Sequence, residues 1–152
     1  MITNNINCAI ITSITSLGDI YHHMEQYTRA NAYYEKSLQL INELQGKGAA
    51  VQHAAEVLHH QGSNYSQMHC YSEAELCYTE ALVIFRELSQ CAFSEEIAKI
   101  LYNQGCNYSD MKQYNSADQC CTEELAGQSV ISKGDSSEEI ANTLLRQGLW
   151  CV

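Results

Sequence analysis

The chain has 152 residues, 45% of them hydrophobic and 17% charged, which is enough apolar content to fold and unlike a disordered tail. Eighteen acids against eight lysines and arginines give a formal charge of -10, a field that repels phosphate backbones and anionic lipid, so nucleic acid and membrane surfaces are poor partners. Proline is absent, which argues against loop-rich and sandwich folds, and no apolar run is long enough to span a bilayer.

Helices are predicted over 6–24, 29–45, 50–67, 72–89, 95–111, 115–131 and 137–150, and they come in pairs. The first of these contains Ala9–Leu17, which is short and rich in Thr and Ser, and its flanks lack the basic segment of a secretion signal. It then enters the string Gly18, Tyr21, Met24, Tyr27, Ala30. The second helix continues from that alanine through Tyr34, Ser37, Leu38 and Ile41, at helical spacing. The third and fourth write the string again as Gly62, Tyr65, Met68, Tyr71, Ala74, preceded by Ala54 and Leu58 and followed by Tyr78, Ala81, Leu82 and Phe85. The fifth and sixth write it as Gly105, Tyr108, Met111, Tyr114, Ala117, and the seventh reaches Gly148. Those glycines lie 44, 43 and 43 residues apart, and a fixed period in this range marks an array of units that bury their apolar faces against one another. Residues 94–105 and 137–148 also share eight of twelve identities, so the repeat does not rest on tyrosines alone.

A glycine inside a helix costs about 1 kcal/mol relative to alanine, so close approach of a partner helix is expected to offset it. The alanine twelve residues later is the expected facing group, with Tyr and Met filling the space around that contact. Ser94 and Ser137, each followed by two glutamates, are expected N-caps, and Ser72 with Glu75 offers a capping box. The sixth helix is the weakest: Glu124 stands at its inner face, Cys121 replaces an aromatic, and Gly127 interrupts it.

Eight cysteines invite a disulfide framework, but their positions vary within the repeat and form no C-x-x-C pair. Reduced packing thiols and a cytoplasmic location are expected instead. His22-His23 and His59-His60 suggest metal, yet neighbouring side chains diverge by about 100° on a helix and no ligand spacing supports a site. No nucleophile elbow, phosphate loop or H-E-x-x-H occurs, so neither catalysis nor a cofactor is expected.

Leu17-Gly18-Asp19-Ile20-Tyr21 followed by Ala30, Tyr34 and Leu38, with Gly62, Tyr65, Ala74, Tyr78 and Ala81 after them, resembles the tetratricopeptide repeat. The long period resembles the extended form found in kinesin light chains and nephrocystin-3-like proteins. Two departures stand out: glutamine replaces leucine before the glycine, at Gln61, Gln104 and Gln147, and the inter-repeat His-Pro is missing. The resemblance implies an all-α fold, a right-handed α-α superhelix of about three helix pairs plus a terminal helix. It further implies a single domain over 1–152, with repeats near 7–48, 49–92 and 93–135 and a partial one over 136–152.

It implies, too, a non-enzymatic scaffold that binds a peptide or protein segment in a groove lined by the first helices. In the register of the glycines, that groove uses Thr15, Asp19 and His22; His59, Ser63 and Ser66; Tyr102, Cys106 and Ser109; and Leu145 with Leu149, and the neighbouring positions add Glu56, His60, Lys99, Asn103, Asn142 and Arg146. Asp19, Glu56 and the histidines disfavour the basic subtype that grips carboxylate termini. The alternatives are a self-associating module joined through the last helix and Trp150, a piece of a longer array, and a regulatory module of a larger enzyme.

Overall fold

The computed structural model describes residues 2–44, 49–89 and 93–132. The predicted terminal helix, with Asn142, Arg146 and Trp150, lies outside the described residues, as do Cys91 and Cys151. The secondary structure described is helical: α1 (Ile2–His23), α2 (Tyr27–Glu43), α3 (Ala49–Gln67), α4 (Tyr71–Leu88), α5 (Glu95–Asp110) and α6 (Tyr114–Ser132). Six of the seven predicted helices therefore form, most within two residues of their expected ends, while α1 starts four residues earlier than its pattern announced. The chain divides after Ile84 into two compact units.

The connection inside each pair is the same three times over. Glu25, His69 and Lys112 adopt left-handed backbone, with φ of 58°, 61° and 59°. Each closes its helix with two hydrogen bonds: Glu25 N–H to His22 O and Gln26 N–H to Tyr21 O, both 2.9 Å, with counterparts at His69–Cys70 and Lys112–Gln113. This arrangement usually carries glycine at the left-handed position, where an L side chain costs about 1–2 kcal/mol. No glycine announces it here, and the next helix starts two residues later at Tyr27, Tyr71 or Tyr114. Ser72 consequently falls inside the first turn of α4, and the capping box expected from Ser72 and Glu75 does not cap it. Ser94 does cap α5, accepting from Ile97 N–H at 3.4 Å, with Glu95 and Glu96 in the first turn.

In the first compact unit, α1 and α2 form an antiparallel pair and α3 packs against both. Buried Ala30, Tyr34, Ser37 and Ile41 line one face of α2, and Ile11, Ala50 and Val57 join them in the core. The glycine slot departs from expectation. A Cβ on Gly18 would lie 2.6 Å from Cε1 of Tyr34, and one on Gly62 would lie 2.7 Å from Cε1 of Tyr78. The glycines thus admit the tyrosine ring sixteen residues on, rather than facing the alanine twelve on. Both rings are buried at 1% exposure, and Ala30 and Ala74 are buried beside them. Met24 does not fill that space either, since it is 56% exposed. Just past the end of α1, it continues an uncovered apolar stripe made on that helix by Ile6, Ile10, Leu17 and Ile20, although Ala50, Gln61 and Asn64, one repeat later, are buried.

The glutamines that replace leucine have a polar job. Gln61 donates to Asn31 Oδ1 at 2.9 Å and accepts from the Cys77 thiol at 3.8 Å, and Gln104 accepts from Cys120 at the same distance. Burial, then the charges of Glu80 and Glu73, push the Cys77 thiol up to about 11, so it remains a protonated donor. Cys8, Cys70, Cys77, Cys106, Cys120 and Cys121 are all free thiols.

In the second compact unit, α5 packs on α6. Ile97, Ile100 and Leu101 of α5 and Ala117, Cys120 and Cys121 of α6 are buried there, and Arg86 pairs with Glu123. Gly127 does not interrupt α6. The helix runs through it, and the missing Cβ makes room for the Phe93 ring, with which any side chain there would collide. Glu124 sits on the inner face as expected, 3% exposed, accepting from Gln128 at 3.1 Å.

Candidate functional site

A cleft of about 280 Å³ opens within the first compact unit. Asp19, His22 and His23 reach it from α1, Tyr34 from α2, and His59, His60 and Ser63 from α3. Its geometry follows from the glycine slot. Because Gly18 lets the Tyr34 ring in, the phenol at the far end of that ring emerges beside the next residue along α1. It donates to Asp19 Oδ1 at 2.8 Å. His60 Nδ1 lies 2.5 Å from the same oxygen, and an ionised carboxylate there requires the imidazole to donate through Nδ1–H.

Burial works to raise the Asp19 pKa, but the His60 hydrogen bond and charge, the Tyr34 hydroxyl and His22 outweigh it, so the carboxyl lies below its ordinary value. Burial, then the bond to Asp19 and its charge, push the Tyr34 phenol in the opposite direction, well above its ordinary range. Asp19 is thus an anion and Tyr34 a neutral donor across the physiological range. The folded carboxyl titrates below the unfolded one, so its contribution to stability is present above about pH 4 and is lost as pH falls through the folded value. Asp19→Asn is expected to cost less than about 1 kcal/mol at pH 7, because solvent screens a side chain that is 32% exposed. In urea unfolding the gap to wild type should narrow steadily as pH is lowered below about 4; a gap that stays constant over that range would show that the ionised form is not what stabilises.

The surrounding imidazoles are fixed as well. His22 Nδ1 donates to Asn64 Oδ1 at 3.0 Å, and Asn64 Nδ2 donates to the Tyr27 carbonyl at 2.9 Å, which sets the amide orientation. The rings of His59 and His60 are edge-to-face at 5.9 Å, and His60 meets the Tyr34 ring at 6.2 Å. Among the described residues no group of three or more His, Cys, Asp or Glu side chains is placed to hold a metal ion.

The expected groove residues separate on this geometry. Asp19, His22, His59 and Ser63 come together in the cleft. Thr15 turns instead to its own helix and α2, donating to Ile11 O at 2.8 Å and lying 3.1 Å from the buried Ser37 hydroxyl. Glu56 is half-buried and engaged along α3, accepting from Gln52 at 3.0 Å and His53 at 3.2 Å. Lys99 is exposed and pairs with Glu95 at 2.9 Å, while Tyr102, Asn103 and Cys106 lie half-buried on α5. Sequence reasoning placed His60 only beside the groove and Tyr34 only in the core. The signal for both was present: His60 falls near one period after Asp19, and a tyrosine filling a slot must bring its hydroxyl out somewhere.

A family model described as tetratricopeptide repeat matches residues 9–87, more than half of the chain, and a second of the same description matches residues 98–123. No curated protein matches. Among solved structures, the chain is similar to the crystal structure of BtubC (BKLC) from P. vanneervenii, with 19% identity and a TM-score of 0.80. That match covers 95% of this chain and 56% of the other, so this chain spans a little over half the length of that protein. At such identity the likeness is one of fold.

Proposed function

Because this chain belongs to the tetratricopeptide repeat family, we propose that it is a non-enzymatic scaffold holding a segment of another protein along its first helices, with the Asp19 cleft as an anchor point. Repeats of this family build protein-interaction scaffolds in general. The observation that carries the finer reading is the cleft itself: side chains from α1 and α3, successive first helices, converge on one open space instead of packing shut. On α5, Lys99, Tyr102, Asn103 and Cys106 occupy corresponding positions of the repeat and form a candidate surface of the second compact unit. Asn142 and Arg146 would extend it beyond the described residues. The buried free thiols Cys77, Cys120 and Cys121 support a cytoplasmic setting.

Selection from a random peptide library tests the reading. Enriched peptides should bind wild type and lose at least tenfold in affinity to a His22→Ala/His59→Ala variant, measured by calorimetry. Enriched peptides that bind the variant as tightly as wild type would place recognition elsewhere.

A further inference from the structure

The Asp19 cleft carries one permanent charge, and that charge is negative. Its neighbours on the same face of α1 and α3 add another acid, Glu56, and no lysine or arginine. The two described basic side chains of the first compact unit, Arg29 and Lys36, lie together on a different cleft beside the stacked rings of Tyr21 and Tyr33. Charge is therefore segregated, with the cationic groups kept away from Asp19. The carboxylate is also incompletely used. Tyr34 and His60 both bond to Oδ1, and among the described residues no donor meets Oδ2. The lining is aromatic: His59, His60 and Tyr34 all border the space, and their rings pack edge-to-face on one another.

We propose that this cleft receives an arginine side chain of the bound segment, its guanidinium donating to Asp19 and lying against the imidazole walls. A planar cation matches both requirements: it hydrogen-bonds a carboxylate directionally and stacks on aromatic rings, which a compact ammonium does less well. The chain's excess of acids draws such a ligand in from a distance and weakens that attraction as salt rises. The inference rests on the reading of this cleft as part of the ligand groove.

The test uses N-acetyl-arginine N-methylamide and its citrulline counterpart, which has the same shape without the charge. Both are titrated into the full chain at pH 7.5 and followed by the ring resonances of His22, His59 and His60. The arginine probe should shift those resonances, with citrulline binding at least tenfold more weakly. Asp19→Asn, which keeps an acceptor for Tyr34 and His60, should lose the preference. Ser63→Arg, which brings a guanidinium to Asp19 from the cleft's own wall, should abolish probe binding while Asp19 itself stays unsubstituted. Equal binding of arginine and citrulline, or an unchanged preference in Asp19→Asn, overturns the proposal. If library peptides engage the cleft without needing arginine, this inference alone fails. If the arginine probe binds at Asp19 while library peptides ignore the cleft, the groove reading fails and the cation site stands.

Discussion

Gly62→Ala is expected to destabilise the protein by about 2 kcal/mol, although alanine is the better helix former by about 1 kcal/mol. The added methyl would lie 2.7 and 2.8 Å from Cε1 and Cδ1 of Tyr78 and 3.2 Å from Cζ. A flexible chain end could swing aside, but the Tyr78 ring is 1% exposed and has nowhere to go. Relief must come from shifting α4 against α3, which opens gaps elsewhere in the core. Tyr78→Ala by itself should cost about 3–4 kcal/mol through lost burial and the cavity left behind. The double variant should cost less than the sum of the two by at least about 1.5 kcal/mol, because each change supplies the space the other needs. Denaturant unfolding of all four proteins reads this directly. A neutral Gly62→Ala, or strictly additive changes, would mean that the glycine is there for some reason other than the ring.

Asn64→Ala should cost about 2 kcal/mol, a large loss for one polar side chain. Asn64, on α3, is fully buried and binds to both other helices of the core: His22 of α1 through its oxygen and the Tyr27 carbonyl at the start of α2 through its nitrogen, with Met68, just past the end of its own helix, at 3.8 Å. Asn64→Leu separates the contributions of volume and hydrogen bonding. It restores bulk but leaves His22 Nδ1 without its acceptor, so it should recover little of the loss in thermal unfolding. Near-complete recovery would show that the position needs only filling. The same variant should loosen the His22 ring, which couples this buried amide to the cleft.

The periodic string disclosed the helices and their pairing because 3.6-residue spacing and a fixed repeat depend only on positions along the chain. The groove register likewise placed Asp19, His22, His59 and Ser63 on one side, since helical angle from a known buried glycine is arithmetic. Its limits appear at Thr15, which shares that register but spends its hydroxyl on Ser37, and at the neighbouring Glu56, which spends its carboxylate on its own helix. Which neighbour a side chain chooses depends on distances between helices, and those are not written in any one helix. The turns show the same limit. Glu25, His69 and Lys112 take a backbone conformation that glycine would announce, and they take it because the pair must close there.

Fold class, repeat period, helix ends to within a few residues and the excess of negative charge were determined by sequence alone, because each is a local or additive property. Only tertiary structure decided that Gly18 and Gly62 face tyrosine rings rather than alanines, and that Tyr34 passes through its slot to hold Asp19. A ring's length and the separation of two helix axes set that outcome jointly, and neither quantity can be read from spacing along one chain.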